Sequence, residues 1–332
     1  MKREALSTRG LASRRFSISP PVAALILALV LFLLSGLLPN GYGSDVNVAI
    51  AQATNILRLS VFVGVIAAGQ TLVIISGYEG IDLSAGSVVT LTAILPYVTV
   101  NGNNNMVLLA LLISLLVGAI IGFLNGIGVT YLKISPFVMT LSMAGVVTGL
   151  ILVINHGNVS GKVAPIITRL SARPLFAGIP GAIVIWVLFG ILMWLLLERT
   201  TYGKNLFAIG VNRVTARLSG VNVPLMNVAT YALAGALAGF GGFLVVGNTG
   251  VVFIALGQPF LFPSIAAVAV GGTLLSGGKG SYWGTMAGAI VLTLITSLLT
   301  TMQMPEAVRR MVLGGTLLIL ISIYGRQRAL RQ

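Results

Sequence analysis

The chain has no cysteine, a single histidine and only six acidic residues among 332. Without cysteine there are no disulfides and no thiol chemistry. A lone His156 leaves no room for a His-rich metal site or a histidine proton relay. Charge of either sign is scarce: 8% of residues are charged, against roughly 25% in soluble domains. Twenty basic and six acidic side chains cannot clothe a water-facing surface on a chain that is 57% hydrophobic. Lipid must be the solvent for most of it. The formal charge of +14 then reads as the orientation signal of cytoplasmic loops and not as a nucleic-acid footprint.

What is abundant is apolar sequence in long runs. A spanning helix needs about 20 apolar residues to cross a hydrocarbon core about 30 Å thick. Such segments fall near 21–38, 55–77, 84–100, 106–130, 137–154, 180–197, 225–247, 259–275, 282–301 and 307–323. They predict an all-α, polytopic helical bundle of about ten spans. The segment 84–100 is short and follows a Gly-rich break, the pattern of a half-helix or re-entrant element. The basic residues Lys2, Arg3, Arg9, Arg14 and Arg15 precede the run Val22 to Leu38, which at 17 residues exceeds a usual signal-peptide core. It reads as a retained first helix with its tail inside. With that orientation 14 basic residues fall inside and 6 outside, which favours both termini in the cytoplasm. The organisation is a basic tail 1–20, one membrane domain 21–324 and a short tail 325–332. Two connections are long: a polar one at 155–179, expected outside, and a basic one at 198–224, expected inside.

Glycine is plentiful, at 41 residues, and much of it has helical spacing. Gly118, Gly122 and Gly126, then Gly145 and Gly149, Gly235 and Gly239, and Gly284 and Gly288 predict close helix packing within lipid. There is also an internal echo. Gly80, Leu83, Ser84 and Gly86 match Gly272, Leu275, Ser276 and Gly278 at a constant offset of 192, as internally repeated transporters do.

Catalysis finds no footing. No HExxH zinc motif and no GxSxG elbow occurs. Gly277-Gly278-Lys279-Gly280-Ser281 fails the phosphate-loop pattern, because Thr273 and Gly280 stand where Gly and Ser or Thr are needed. The chain binds no cofactor itself, and any ATP is used by another subunit. Segments after the third hold no Asp or Glu in their interiors, which disfavours proton coupling; no TVGYG filter is present. The remaining acids of interest, Glu79 and Asp82, flank Gly80 between two apolar segments.

In the basic connection, Asn212 predicts the cap of a short helix running to Leu218, and Gly220 its end. A helix there either docks a partner or lies on anionic headgroups through Arg213 and Arg217.

Three blocks give the chain a resemblance. Gly80-Ile81-Asp82-Leu83-Ser84-Ala85-Gly86-Ser87 resembles the GIDLS-x-GS signature of the permeases of ABC-type monosaccharide importers, the ribose/xylose/arabinose permease family. Thr201-Tyr202-Gly203-Lys204, Ala208-Ile209-Gly210-Val211-Asn212 and Ala216-Arg217-Leu218-Ser219-Gly220-Val221 resemble its cytoplasmic loop. Gly271 to Gly280, followed by Trp283-Gly284-Thr285, is similar to its third block. The resemblance implies a helical bundle of the vitamin B12-importer (type II) arrangement in the bacterial inner membrane. It implies a second permease, a copy or a paralogue, together with a cytoplasmic ABC ATPase and a periplasmic sugar-binding protein. Gly203, Gly210, Asn212, Ala216 and Gly220 are then expected in ATPase coupling. Asp82 and Ser84 are expected to shape the signature loop. Asn125, Asn248 and Thr249 are polar groups for a solute in transit. The sequence departs from the family at Phe260-Leu261-Phe262-Pro263-Ser264-Ile265-Ala266, where acidic residues are usual, and at Tyr78-Glu79, where Gly-Gly is usual. Other cargoes within the fold are a nucleoside, a quorum-signal sugar or an amino acid. A stand-alone carrier or channel is the alternative outside it.

Overall fold

The computed structural model describes residues 19–329 apart from 39, 40, 44, 79, 156–158 and 177. Glu79, His156 and the basic residues of the N-terminal tail lie outside the described residues. Each of the ten apolar segments coincides with a helix: α1 (Pro20–Gly36), α2 (Val46–Ile75), α3 (Ala85–Val100), α4 (Val107–Thr130), α5 (Pro136–Asn155), α7 (Gly181–Trp194), α10 (Val223–Thr249), α11 (Gln258–Val270), α12 (Tyr282–Thr301) and α13 (Glu306–Ala329). Among the described residues, six helical stretches are long and apolar enough to cross a membrane: Val46–Ile75, Asn104–Thr130, Pro136–Ile154, Gly181–Arg199, Val223–Thr249 and Tyr282–Thr301. Three others, α1, α3 and α11, are apolar but shorter. The protein is a multi-pass helical membrane bundle.

The long connections are more structured than their polarity suggests. Residues 155–179 contain α6 (Pro165–Ala172) and a small hairpin of β1 (Pro174–Phe176) and β2 (Ile179–Pro180). The connection 198–224 holds two helices, α8 (Thr201–Val211) and α9 (Arg213–Leu218), after α7 runs into a π-turn at Leu195–Arg199.

The centre is built on α2 and α10, which bury most of their length. Glycine lets α10 lie against α4 backbone to backbone. A Cβ at Gly118 would overlap the Gly235 carbonyl, one at Gly122 the Tyr231 carbonyl, and one at Gly239 the Ser114 carbonyl. On α12, Gly284 and Gly288 sit the same way against Gly271 and Ala267. Gly145 and Gly149 share the spacing but not the contact, for among the described residues nothing beyond their own helix lies within 4 Å of a side chain placed there. The expected consequence is opposite for identical chemistry. Gly122→Val is expected to lower the amount of folded protein recovered from membranes, since overpacking costs about 1–3 kcal/mol or more. Gly145→Val is expected to leave that yield unchanged.

Two short helices begin inside the bundle. After α2 the chain turns at Gly77 (φ +74°) and Tyr78 (φ +59°) and runs back along α2. The Gln70 side chain brackets the Asp82 backbone there, donating to its carbonyl at 2.6 Å and accepting from its N–H at 3.2 Å. Gln70 is five residues before the end of α2, so the return climbs about 8 Å before α3 starts. From the other end, the Gly257 N–H donates to Thr90 Oγ1 at 2.9 Å just before α11 begins. The first turns of α3 and α11 therefore meet in the interior and run to opposite ends. The two echoed segments do not play equivalent parts: Gly80–Gly86 climbs into a helix start, whereas Gly272–Gly278 leaves a helix end.

Candidate functional site

The return segment is held by a buried polar network that leaves Asn125 Oδ1 without a partner among the described residues. Asp82 Oδ1 accepts from the Ser84 N–H at 2.8 Å and from the Ser84 hydroxyl at 2.5 Å. Ser84 Oγ accepts from Asn125 Nδ2 of α4 at 2.9 Å. The Leu83 N–H donates to Thr140 Oγ1 of α5 at 3.0 Å. Asp82, Ser84, Asn125, Gln70 and Thr140 are all buried. Backbone groups that no helix satisfies are costly away from water, and this set supplies their partners. Three of the five residues expected along a solute path are thus brought together, but they face one another. Asn248 and Thr249 lie elsewhere, at the end of α10. Arg58 of α2 donates to Asn248 Oδ1 and to Asn55 Oδ1 at 2.8 Å. Thr249 Oγ1 donates into its own backbone, at 2.8 Å to Val251 O.

The α8–α9 pair sits at the end of the bundle where α2 and α11 finish. Asn212 caps α9, accepting from the Val214 and Thr215 N–H groups at 2.9 and 3.0 Å. Gly220, at φ +86°, ends it. Helix α8 was not legible beforehand: it is capped by Thr200, whose Oγ1 accepts from the Gly203 N–H at 3.2 Å. Its Gly210 is where three backbones converge. A Cβ there would overlap the Ile75 carbonyl and the Gly278 backbone, and one at Gly277 would overlap Gly77. The Gly278 N–H caps the Ile75 carbonyl of α2 at 2.9 Å. The platform is thus jointed to the end of α2 and to the α11–α12 turn at once.

Arg213 adds a side-chain clasp. Its guanidinium lies 4.4 Å from the Tyr78 ring centroid and donates to Asn227 Oδ1 of α10 at 3.1 Å. Burial pulls the Arg213 pKa below its ordinary value, with Tyr78 and Tyr231 acting in the opposite direction. The clasp ties α9 to the return segment through the residue that departs from the family pattern.

Of the five expected coupling residues, Gly203, Gly210 and Ala216 face the bundle, while Asn212 and Gly220 are exposed caps. The face turned away from the bundle carries Val211, Val214 and Leu218, exposed by 74%, 68% and 83%. These were not singled out from sequence. Their signal was three apolar residues, at positions 211, 214 and 218, bracketing a capping asparagine in an otherwise basic loop.

The family described as branched-chain amino acid transport system / permease component matches residues 52–321. The chain is 32% identical over 277 residues to the ribose import permease protein RbsC of Bacillus subtilis, covering 83% of this chain and 85% of that protein. It is 32% identical over 310 residues to the autoinducer 2 import system permease protein LsrC of Photorhabdus luminescens, covering 92% and 90%. It is 32% identical over 301 residues to the galactose/methyl galactoside import permease protein MglC of Salmonella typhimurium, covering 83% and 86%. No solved structure matches the chain.

Proposed function

This chain belongs to the permease-component family of binding-cassette import systems, and on that premise we propose that it carries a monosaccharide or a related sugar across the bacterial inner membrane. The family description speaks of amino acids, but ribose, galactose, fructose and autoinducer 2 are the cargoes in the relatives' names. Two copies of the chain, or this chain and a paralogue, form the path through a bundle of about ten spans each, in the type II arrangement. Both termini and the 198–224 connection lie in the cytoplasm, where 14 of the 20 basic residues then fall. A cytoplasmic ATPase docks on α8–α9 and supplies the energy; a periplasmic binding protein delivers the sugar.

The observation that carries this reading is the glycine junction. A partner that moved α8–α9 would move the end of α2 and the α11–α12 turn with it, because Gly210, Gly278 and Ile75 meet at backbone distance. That is how a binding event outside the membrane biases a two-state bundle within it. Val211, Val214 and Leu218 are the anchors the ATPase grips. Asp82, Ser84 and Asn125 hold the return segment in shape.

Leu218→Asp tests the docking face. A buried interface anchor is worth about 2 kcal/mol or more, roughly 30-fold in affinity. The variant is expected to run as wild type in size-exclusion chromatography and to lose copurification of the coexpressed ATPase. Full copurification by Leu218→Asp and Val214→Asp removes this face as the docking site. ATP-independent sugar uptake by the reconstituted chain alone hands the assignment to a stand-alone carrier.

A further inference from the structure

The polar groups around Asp82 are buried, and among the described residues only some of their atoms are paired, Asn125 Oδ1 being left without a partner; a second, uncharged cluster reaches an exposed residue. Gln258, the first residue of α11, is exposed. Its Nε2 donates to Ser87 Oγ of α3 at 3.4 Å. Ser87 in turn shares a hydrogen bond with Thr148 Oγ1 of α5 at 3.2 Å. The surface beside Thr148 on α5 is smooth: among the described residues nothing beyond their own helix lies within 4 Å of where a side chain would begin at Gly145 and Gly149.

Depth gives this cluster its meaning. Gln258 stands 12 residues from the Val270 end of α11, about 18 Å along the axis. Ser87 stands 13 residues from the Val100 end of α3, about 20 Å in the other direction. Their meeting point therefore falls near the middle of a hydrocarbon core about 30 Å thick. An exposed primary amide at that depth is costly against lipid. The cost vanishes if the face lines a water-filled path, and half-helices that meet at mid-depth are where transporters build solute sites.

We propose that Gln258, held from behind by the buried Ser87 hydroxyl and flanked by the half-buried Thr148, forms a contact station for a neutral polyhydroxylated solute within the membrane, with Gln258 setting specificity. The proposal rests on reading the chain as a sugar permease. An amide both donates to and accepts from hydroxyls, and the half-buried Thr148 hydroxyl does the same; Ser87, buried between them, positions the amide. Helices α3, α5 and α11 contain no Asp, Glu, Lys or Arg. A zwitterionic amino acid finds no counter-charge on these three helices, whereas a sugar needs none. The smooth strip at Gly145 and Gly149 gives a pyranose ring room to pass.

Because the chain has no cysteine, each single-cysteine variant is a direct probe of water access. Gln258→Cys, in the complete complex in membrane vesicles, is compared with Leu188→Cys on the exposed face of α7. A charged methanethiosulfonate reagent is expected to label position 258 at least about tenfold faster, since the thiolate reacts only where water reaches. Equal labelling overturns the proposal. Uptake of labelled ribose, galactose and fructose is then measured in proteoliposomes with Gln258→Leu and Gln258→Asn. Loss of one uncharged hydrogen bond predicts about a tenfold fall for the leucine variant, a changed ranking among the sugars, and partial rescue by asparagine. Unchanged rates and ranking overturn the station while leaving the permease reading intact. A wild-type complex that takes up none of the three sugars with ATP removes the reading itself.

Discussion

Replacing Gly210 with alanine is expected to leave the partner ATPase bound and to cut the sugar moved per ATP hydrolysed by about tenfold or more. The methyl group would have to occupy space held by the Ile75 carbonyl and the Gly278 backbone. Neither is the flexible end of a side chain, so α8 must back away from both. Overpacking of this kind costs about 1–3 kcal/mol, and about 1.4 kcal/mol is a factor of ten in an equilibrium. The displaced helix still presents Val211, Val214 and Leu218 to the ATPase, because those residues face the other way. What fails is transmission, since the platform moves without carrying α2 and the α11–α12 turn. The Arg213 clasp on Tyr78 and Asn227 remains as a weaker second tie. Gly220→Ala is the control. Its backbone is left-handed at φ +86°, but among the described residues nothing beyond its chain neighbours lies within 4 Å of a side chain there. It pays only a local conformational cost of about 1 kcal/mol, and coupling is expected to survive. ATP hydrolysis and sugar uptake measured on the same proteoliposomes give the ratio. An unchanged ratio for Gly210→Ala would mean that the glycine junction carries no motion.

How much of this was readable beforehand follows from which forces are local. The ten helices were legible because each coincides with an apolar run, and run length survives in the sequence whatever the packing. The cap at Asn212 was legible because a side chain bonding an N–H two or three residues on is a short-range event. Helix α8 was not, since Gly203 and Gly210 lower helix propensity and only tertiary contact against Leu197, Ile75 and Gly278 explains them. The glycine pairs make the same point. Gly118 with Gly122 and Gly145 with Gly149 have one spacing, yet one pair is pressed against α10 and the other faces open space. Spacing defines a smooth face; it does not say what lies on it. The polar site residues divide likewise. Asp82 and Ser84 were recognisable as a loop motif, but their partners Gln70, Asn125 and Thr140 are distant in sequence. Gln258 had no signal at all, because its exposure comes from where α11 starts against α3.

Asp82 offers the sharpest separation of scaffold from solute contact. Among the described residues no salt bridge reaches it; the ion pairs there join Glu306 to Arg309 and Arg310. A buried carboxylate without a counter-ion is costly. Its return is that one oxygen, Oδ1, takes both the N–H and the hydroxyl of Ser84, while Ser84 holds Asn125. Asparagine keeps a carbonyl oxygen at that position and sheds the desolvation cost. Asp82→Asn is therefore expected to melt in detergent at a temperature no lower than wild type and to transport normally. Asp82→Ala removes the acceptor, orphans the Ser84 N–H in the interior and frees Asn125 to turn. One unpaired buried donor costs about 1–3 kcal/mol, so a clearly lower melting temperature and a smaller membrane yield are expected. The opposite pattern would assign Asp82 to the solute: Asp82→Asn stable but unable to transport, with uptake depending on the charge itself. Gln70→Ala discriminates further, because it loosens the Asp82 backbone without touching the carboxylate. If the network's task is to hold the chain where α3 begins, Gln70→Ala and Asp82→Ala should fail in the same way and their double variant should fail little more, as partners in one network do.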